Sequence, residues 1–294
     1  MSVTSALHLQ SSRPLVWITG AGGLIGNDLV QTAPFFAPAW RVQGLTRVEL
    51  DLLDFDTVRR AFREQQPQLV IHCAAMSKSP DCEAQPELAH RINFEATAVL
   101  AELAKDFSLV FFSSDLVFDG RKGSYVETDP VGPLSVYART KVAAERIVLA
   151  NPRHTVIRTS LNGGTSPAGD RGFNEQMRLA WQAGRTLKLF TDECRCPIPA
   201  VVTAQATWEL VNRNQAGLFH VAGGERLSRL QIGQLIAARW PQLNPKFEAA
   251  ITKDHPGAPR PADGSLNCAK AQKLLSFPLP GLTEWLTAHP NEPF

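Results

Sequence analysis

The 294-residue chain lacks long apolar runs, has little cysteine and carries almost no charge excess, and each shortage removes a class of protein. No stretch approaches the roughly 18 apolar residues needed to span a bilayer, and residues 1–13 have no apolar h-region. The reading is a soluble, cytoplasmic protein without a membrane partner. Five cysteines, Cys73, Cys82, Cys194, Cys196 and Cys268, make an odd number, and the one close pair, Cys-x-Cys, has no matching partner motif. That argues against a disulfide framework and against a zinc site, so no metal is expected. A net charge of +2 offers no field for nucleic acid or an acidic polymer. Repeats and low-complexity tracts are missing too, which excludes solenoids and fibrous arrays.

What remains is a chain long enough to bury a full α/β core. Leu15-Val-Trp-Ile-Thr19 is a short apolar run that ends in Gly20-Ala-Gly-Gly23-Leu24-Ile25-Gly26, after which Leu29 and Val30 continue at helical spacing. This is strand, tight turn, helix. Gly20 permits the turn, Gly23 lets backbone approach a pyrophosphate, and Gly26 lets the helix pack close to the strand. The helix N-terminus offers N–H groups and positive dipole to phosphates. Leu24 and Ile25 belong to the same turn.

The next strand, Arg41 to Thr46, ends at Arg47 rather than at an acid that would hold a ribose 2′-hydroxyl. An arginine there suits a 2′-phosphate, so NADP(H) is favoured and NAD(H) stays open. Asp51 is placed to end a third strand, where it and Leu52 would lie beside adenine, while Asp54 caps a helix marked by Phe55, Val58 and Phe62. Leu69-Val-Ile-His-Cys73 is a buried-strand pattern, and Ala74-Ala75 after it are small enough for a cofactor to lie on backbone. Glu87 to Lys105 is amphipathic, with Asn93 beside its apolar stripe.

Leu109-Val-Phe-Phe-Ser113-Ser114-Asp115 is another buried strand, and its carboxyl end delivers hydroxyls where open α/β sheets bind ligands. Downstream, Tyr137-Ala-Arg-Thr-Lys141 puts a phenol and an ammonium four residues apart on one helix face. At about 4 Å and an effective dielectric of about 20, such a pair attracts by roughly 4 kcal/mol, or about three pKa units. The expectation is that Lys141 lowers the Tyr137 pKa far enough to make it an acid near neutral pH.

Together these residues resemble the extended short-chain dehydrogenase/reductase superfamily: Thr19 to Gly26 matches T-G-x-x-G-x-x-G, Ser114 is its serine, and Tyr137 to Lys141 is its Y-x-x-x-K. Within it the chain is similar to the dTDP-4-dehydrorhamnose reductase family, through Ser113-Ser-Asp-Leu-Val-Phe-Asp-Gly120, Pro133-Leu-Ser-Val-Tyr137, Arg158-Thr-Ser160 and Arg260-Pro-Ala-Asp-Gly-Ser-Leu-Asn267. The resemblance implies a Rossmann-type doubly wound parallel sheet with a smaller, discontinuous substrate lobe. Residues 1–160 would form the dinucleotide-binding domain, with 200–225 returning to it, and 161–199 with 226–294 would form the lobe.

It also implies NADPH-dependent reduction of a keto group on a nucleotide-linked sugar. Ser114 would hold the carbonyl oxygen, Tyr137 would protonate it, and Lys141 would bind the nicotinamide ribose. Cofactor contacts are expected from Gly20, Gly23, Leu24, Ile25, Gly26, Arg47, Asp51, Leu52, Cys73, Ala74, Ala75, Tyr137 and Lys141. Substrate contacts are expected from Lys78, Asp115, Leu161, Arg195 and Arg260, with the basic ones facing a pyrophosphate; Leu161 stands where the family commonly has tryptophan. A homodimer is compatible with the resemblance. Related 4,6-dehydratases place Asp-Glu after the catalytic hydroxyl, whereas here Leu116 follows Asp115. The resemblance extends to the methionine adenosyltransferase regulatory β subunit, which leaves a non-catalytic NADP-binding role as the alternative.

Overall fold

A computed structural model of the chain describes residues 13–254, 257–290 and 292. All but the last of residues 1–13, on which the leader argument rested, lie outside them. Six strands form one parallel sheet: β1 (Leu15–Thr19), β2 (Arg41–Leu45), β3 (Leu69–His72), β4 (Ser108–Ser114), β5 (Thr155–Thr159) and, after four short strands, β10 (Gly217–Val221). Their spatial order is β10-β5-β4-β3-β1-β2. The chain leaves β1 for β2 on one side and then crosses back to β3 on the other. That reversal opens a crevice at the carboxyl ends of β1 and β3. All five β1 residues are buried because both faces of the sheet are covered.

Alternation along β1 sorts its side chains into two cores. Val16 and Ile18 face α1 (Leu24–Phe36) and α8 (Ala200–Asn212), where Trp208 is fully buried and donates from its indole to the Leu29 carbonyl at 3.1 Å. Leu15 and Trp17 face the other layer: α2 (Phe55–Gln65), α5 (Ala96–Leu103) and α6 (Val136–Leu149). The short strands are β6 (Asn162–Gly163), β7 (Thr186–Phe190), β8 (Cys194–Arg195) and β9 (Ile198–Pro199). After β10 come β11 (Leu227–Ser228), α9 (Arg229–Arg239) and β12 (Lys246–Ala250), which pairs in parallel with β7. With α7 (Phe173–Gln182) and α11 (Leu282–Ala288) they enclose a separate core of Phe173, Met177, Trp181, Leu189, Ile232, Ile236 and Leu282. The Ser228 and Gln231 side chains cap α9 reciprocally.

Three expectations need correction. No strand ends at Asp51. Thr46 to Leu50 turns instead, with the Leu50 N–H donating to the Thr46 carbonyl at 3.0 Å and the Thr46 N–H to Glu49 at 2.8 Å. Residues 87–103 are not one regular helix but α4 (Pro86–His90), a π-turn over Arg91–Glu95, and α5. The wide turn holds Asn93, whose amide accepts from Met76 N–H at 2.8 Å and donates to Thr140 Oγ1 at 3.0 Å. Leu274 to Leu286 reads from the sequence as closing helical packing, yet between these residues only α11 is helical, because Pro278 and Pro280 break the pattern. Among the described residues no helix is long and apolar enough to cross a membrane.

His72, at the end of β3, is buried between Thr19 Oγ1 at 2.6 Å and Thr97 Oγ1 at 3.1 Å. Burial, helped by the charge of Lys141, lowers its pKa to about 3, so it is neutral at physiological pH. The unfolded chain, with histidine near 6.5, binds this proton first. The histidine's contribution to stability is therefore present above pH 6.5 and lost as pH falls toward 3. Between pH 6.5 and 5, above most carboxylate titrations, His72 alone should remove about 2 kcal/mol. Urea unfolding across that window should show the loss in the natural protein and a shallower slope in His72→Gln; identical slopes would contradict this assignment.

Candidate active site

The crevice begins with Gly20, whose φ of +71° is left-handed, and a Cβ there would lie 2.6 Å from Ala74 N. A Cβ on Gly26 would meet Gly20 O at 2.4 Å, so α1 starts against the turn itself. Gly23 precedes α1 without any side-chain cap, which leaves the first-turn N–H groups directed at the crevice. Leu24 is buried and Ile25 packs on the core, so both contribute backbone and apolar wall rather than polar contacts. Cys73, Ala74 and Ala75 form the opposite lip, half-buried after β3. Arg47 is exposed, its guanidinium 3.5 Å from the Asp51 carboxylate, which also accepts from Leu53 N–H at 3.0 Å. Leu52 packs against the α2-side core. The narrow glycine approach and uncapped helix start fit a dinucleotide pyrophosphate, and Arg47 at the mouth fits a further phosphate.

At the end of β4, Ser114 is buried next to Asp115. Its hydroxyl donates to Asp115 Oδ1 at 3.1 Å and accepts from Leu116 N–H at 3.2 Å. The α6 helix starts where Ser135 caps Ala138 N–H at 3.2 Å, and its buried face carries both Tyr137 and Lys141. Asn93 ties this helix to the segment after β3, its amide donating both to the Met76 carbonyl and to Thr140 Oγ1. Tyr137 packs with Cys82 and Ala89, and the Lys141 ammonium lies 4.1 Å from the Phe111 ring centroid.

The electrostatics differ from the sequence expectation. Burial raises the Tyr137 pKa above the ordinary phenol value; a hydrogen bond with Ser114 opposes the shift and the Asp115 carboxylate adds to it. Lys141 is not among the groups that shift the phenol, and burial sets the direction. Lys141 is itself lowered to about 8, chiefly by burial, with Glu145 opposing. Asp115 is raised by burial, against the pull of Arg195 and hydrogen bonds from Ser160 and Ser114.

Beyond Ser114 runs a ladder of charge. Ser160 Oγ donates to Asp115 Oδ2 at 2.6 Å, and Arg195 Nε lies 3.6 Å from the same oxygen. Arg195 reaches Glu193 at 3.3 Å, and Arg260 meets the other Glu193 oxygen at 3.3 Å. Arg195 is only 2% exposed, so it is a strut inside the protein, whereas Arg260 is partly open. Leu161 packs toward the lobe core, and Lys78 is exposed at the start of α3 (Ser79–Ala84). Sequence reasoning missed Ser160, Glu193 and the buried Glu145–Arg158 pair. For Glu145 a signal existed, since it repeats the Tyr137–Lys141 interval along the same helix face.

Compared with known proteins, residues 15–291 match the family model described as RmlD substrate binding domain. The chain is 30% identical over 295 residues to the probable low-salt glycan biosynthesis reductase Agl14 of Haloferax volcanii, covering 92% of this chain and 96% of that protein. It is 31% identical over 276 residues to methionine adenosyltransferase 2 subunit beta of Xenopus laevis, covering 87% and 81%. Among solved structures, a hypothetical dTDP-4-dehydrorhamnose reductase from Sulfolobus tokodaii superposes with a TM-score of 0.80 at 30% identity, covering 92% and 97%. One from Clostridium acetobutylicum superposes with a TM-score of 0.81 at 27% identity, covering 91% and 94%. By the length of that match, the chain belongs to the RmlD substrate binding domain family.

Proposed function

We propose that this protein is an NADPH-dependent ketoreductase acting on a keto group of a nucleotide-linked sugar. The observation that carries the reading is the burial of Ser114, Tyr137 and Lys141 together beside the glycine-lined crevice. When bound, NADPH supplies the hydride. The residues that would hold it are Gly20, Gly23 and Gly26 at the pyrophosphate, Ala74 and Ala75 along its length, Arg47 at the 2′-phosphate and Lys141 at the nicotinamide ribose. The Bacillus anthracis dTDP-4-dehydrorhamnose reductase, which shares this fold at 22% identity, was solved in complex with NADP.

The protein's own part is proton management. Ser114 turns its hydroxyl from Asp115 to the carbonyl oxygen and holds it. Tyr137, with its proton held firmly by burial, gives it up only as negative charge develops on that oxygen. Lys141 supplies positive charge next to the phenolate left behind. Arg260 and Lys78 are exposed cations for a diphosphate.

Similarity to the Xenopus laevis β subunit favours a second reading, an NADP-binding partner subunit without turnover. Tyr137→Phe separates the two. Under the reductase reading it should lower kcat by about 10²–10⁴-fold with NADPH affinity and melting temperature retained. Unchanged turnover would reject Tyr137 as the acid, and no NADPH oxidation by the natural protein across keto sugars, with a stable protein partner captured, would favour the second. Cofactor choice is tested by thermal shift: NADPH should stabilise more than NADH, and Arg47→Ala should erase most of that difference. Equal shifts in the natural protein would remove Arg47 from the site.

A further inference from the structure

We infer that Glu145 is a positioning residue that keeps Lys141 in its ammonium form, and that Arg158 is the clamp that sets how much of the carboxylate's charge reaches it. Glu145 lies one turn beyond Lys141 on the buried face of α6, the spacing at which side chains are neighbours. Both are 3% exposed. Arg158 on β5 grips the Glu145 carboxylate with two bonds, Nε to Oε1 at 2.9 Å and Nη2 to Oε2 at 2.7 Å. The clamp is held from behind, with the Arg158 guanidinium 4.9 Å from the Phe118 ring and Nη1 3.5 Å from His220 Nε2.

The groups around Lys141 single out Glu145. On β3 and just after it are His72, neutral at physiological pH, and Cys73, a thiol that burial keeps protonated. From α3 comes Cys82, raised to about 11 and also uncharged. On β4, Phe111 offers only the face of its ring. On α6, Tyr137 keeps its proton. Glu145 is therefore the anion of this set, and it is the strongest influence holding the lysine protonated against its burial. Arg158 places a second cation beside that anion and drains part of its effect, while His220 behind it is neutral. The pair therefore offsets part of the burial, and Lys141 keeps its proton by the share of the carboxylate that Arg158 leaves to it.

The inference gives a role to the Lys141 of the proposed site, but its test uses no turnover. Protein labelled with ¹³C at the lysine ε-carbon is titrated by NMR, and the Lys141 resonance is identified by its loss in Lys141→Arg. In the natural protein its midpoint should fall well below those of the other lysines, near 8. Glu145→Gln should lower the midpoint by about one unit or more, since a neutral amide leaves Arg158 uncompensated. Arg158→Gln should raise it by about half a unit or more, because the carboxylate then acts on Lys141 alone. Glu145→Asp, which keeps the charge, should stay within about half a unit of the natural protein. Opposite shifts from the two neutral variants are an electrostatic signature that loosened packing would not produce. Shifts in the same direction, or none beyond about 0.3 unit, overturn the inference. Should Glu145→Gln fail to fold, the sign of the Arg158→Gln shift decides alone. Absence of NADPH binding in the natural protein would defeat the functional reading and leave this titration untouched.

Discussion

The burial of one lysine against a parallel sheet is the constraint on which the rest of this structure turns. Moving the Lys141 ammonium into the seam between α6 and β4 drops its pKa from 10.5 to about 8, which corresponds to about 3 kcal/mol against the charged form. A seam that holds a cation at that cost needs compensation from several sides. Phe111 supplies a ring face, Glu145 a carboxylate and Arg158 the rigidity that keeps the carboxylate in place. The interaction is internal to the protein, so α6 stays registered on β4 and β5 before any ligand arrives, and Tyr137 on its first turn is carried with it.

The sheet supplies the other half of the arrangement. Because β3 and β2 flank β1, loops from β1 and β3 diverge at the reversal and a ligand can enter between them. Gly20 closes the floor of that opening on Ala74, and Asn93 joins the far lip to Thr140 on α6. A π-turn where a regular helix would be smoother is the local consequence, since it is the turn that carries Asn93 to Met76 and Thr140. Irregularity in a helix at this place has a definite structural product: it couples the dinucleotide crevice to the helix bearing the phenol.

What the sequence made legible follows the same division. The glycine turn and the apolar strands obey local rules of period and backbone freedom, so β1, β4 and α1 could be read directly. The extra strand assigned near Asp51 failed because Thr46 and Glu49 close a turn through a side chain, a contact that alternation does not encode. The Tyr137 pKa was misjudged for a physical reason. Helical spacing fixes how near a lysine is but says nothing of how dry the site becomes, and here dehydration is the larger effect. Ser160 and Arg195 meet Asp115 from segments far apart in the chain, with Glu193 behind Arg195, so the cluster is visible only once the lobe is folded onto the sheet.

Burial of ionisable groups also bears on whether the site turns over or merely binds. A crevice for a dinucleotide requires the glycine turn, the helix start and small residues on the lip; none of these needs an ionisable group in the seam behind them. A methionine at 141 would fill the seam without the penalty, and a phenylalanine at 137 would pack with Cys82 and Ala89 as well as the phenol does. The protein instead holds a phenol, an ammonium and a hydroxyl at burial levels that disfavour two of them in charged form. Displaced proton affinities beside a ligand crevice mark a candidate site for proton transfer, and dinucleotide binding by itself does not call for them. That burial of the tyrosine and lysine, and not the fold, is the physical ground on which the proposed reductase reading rests.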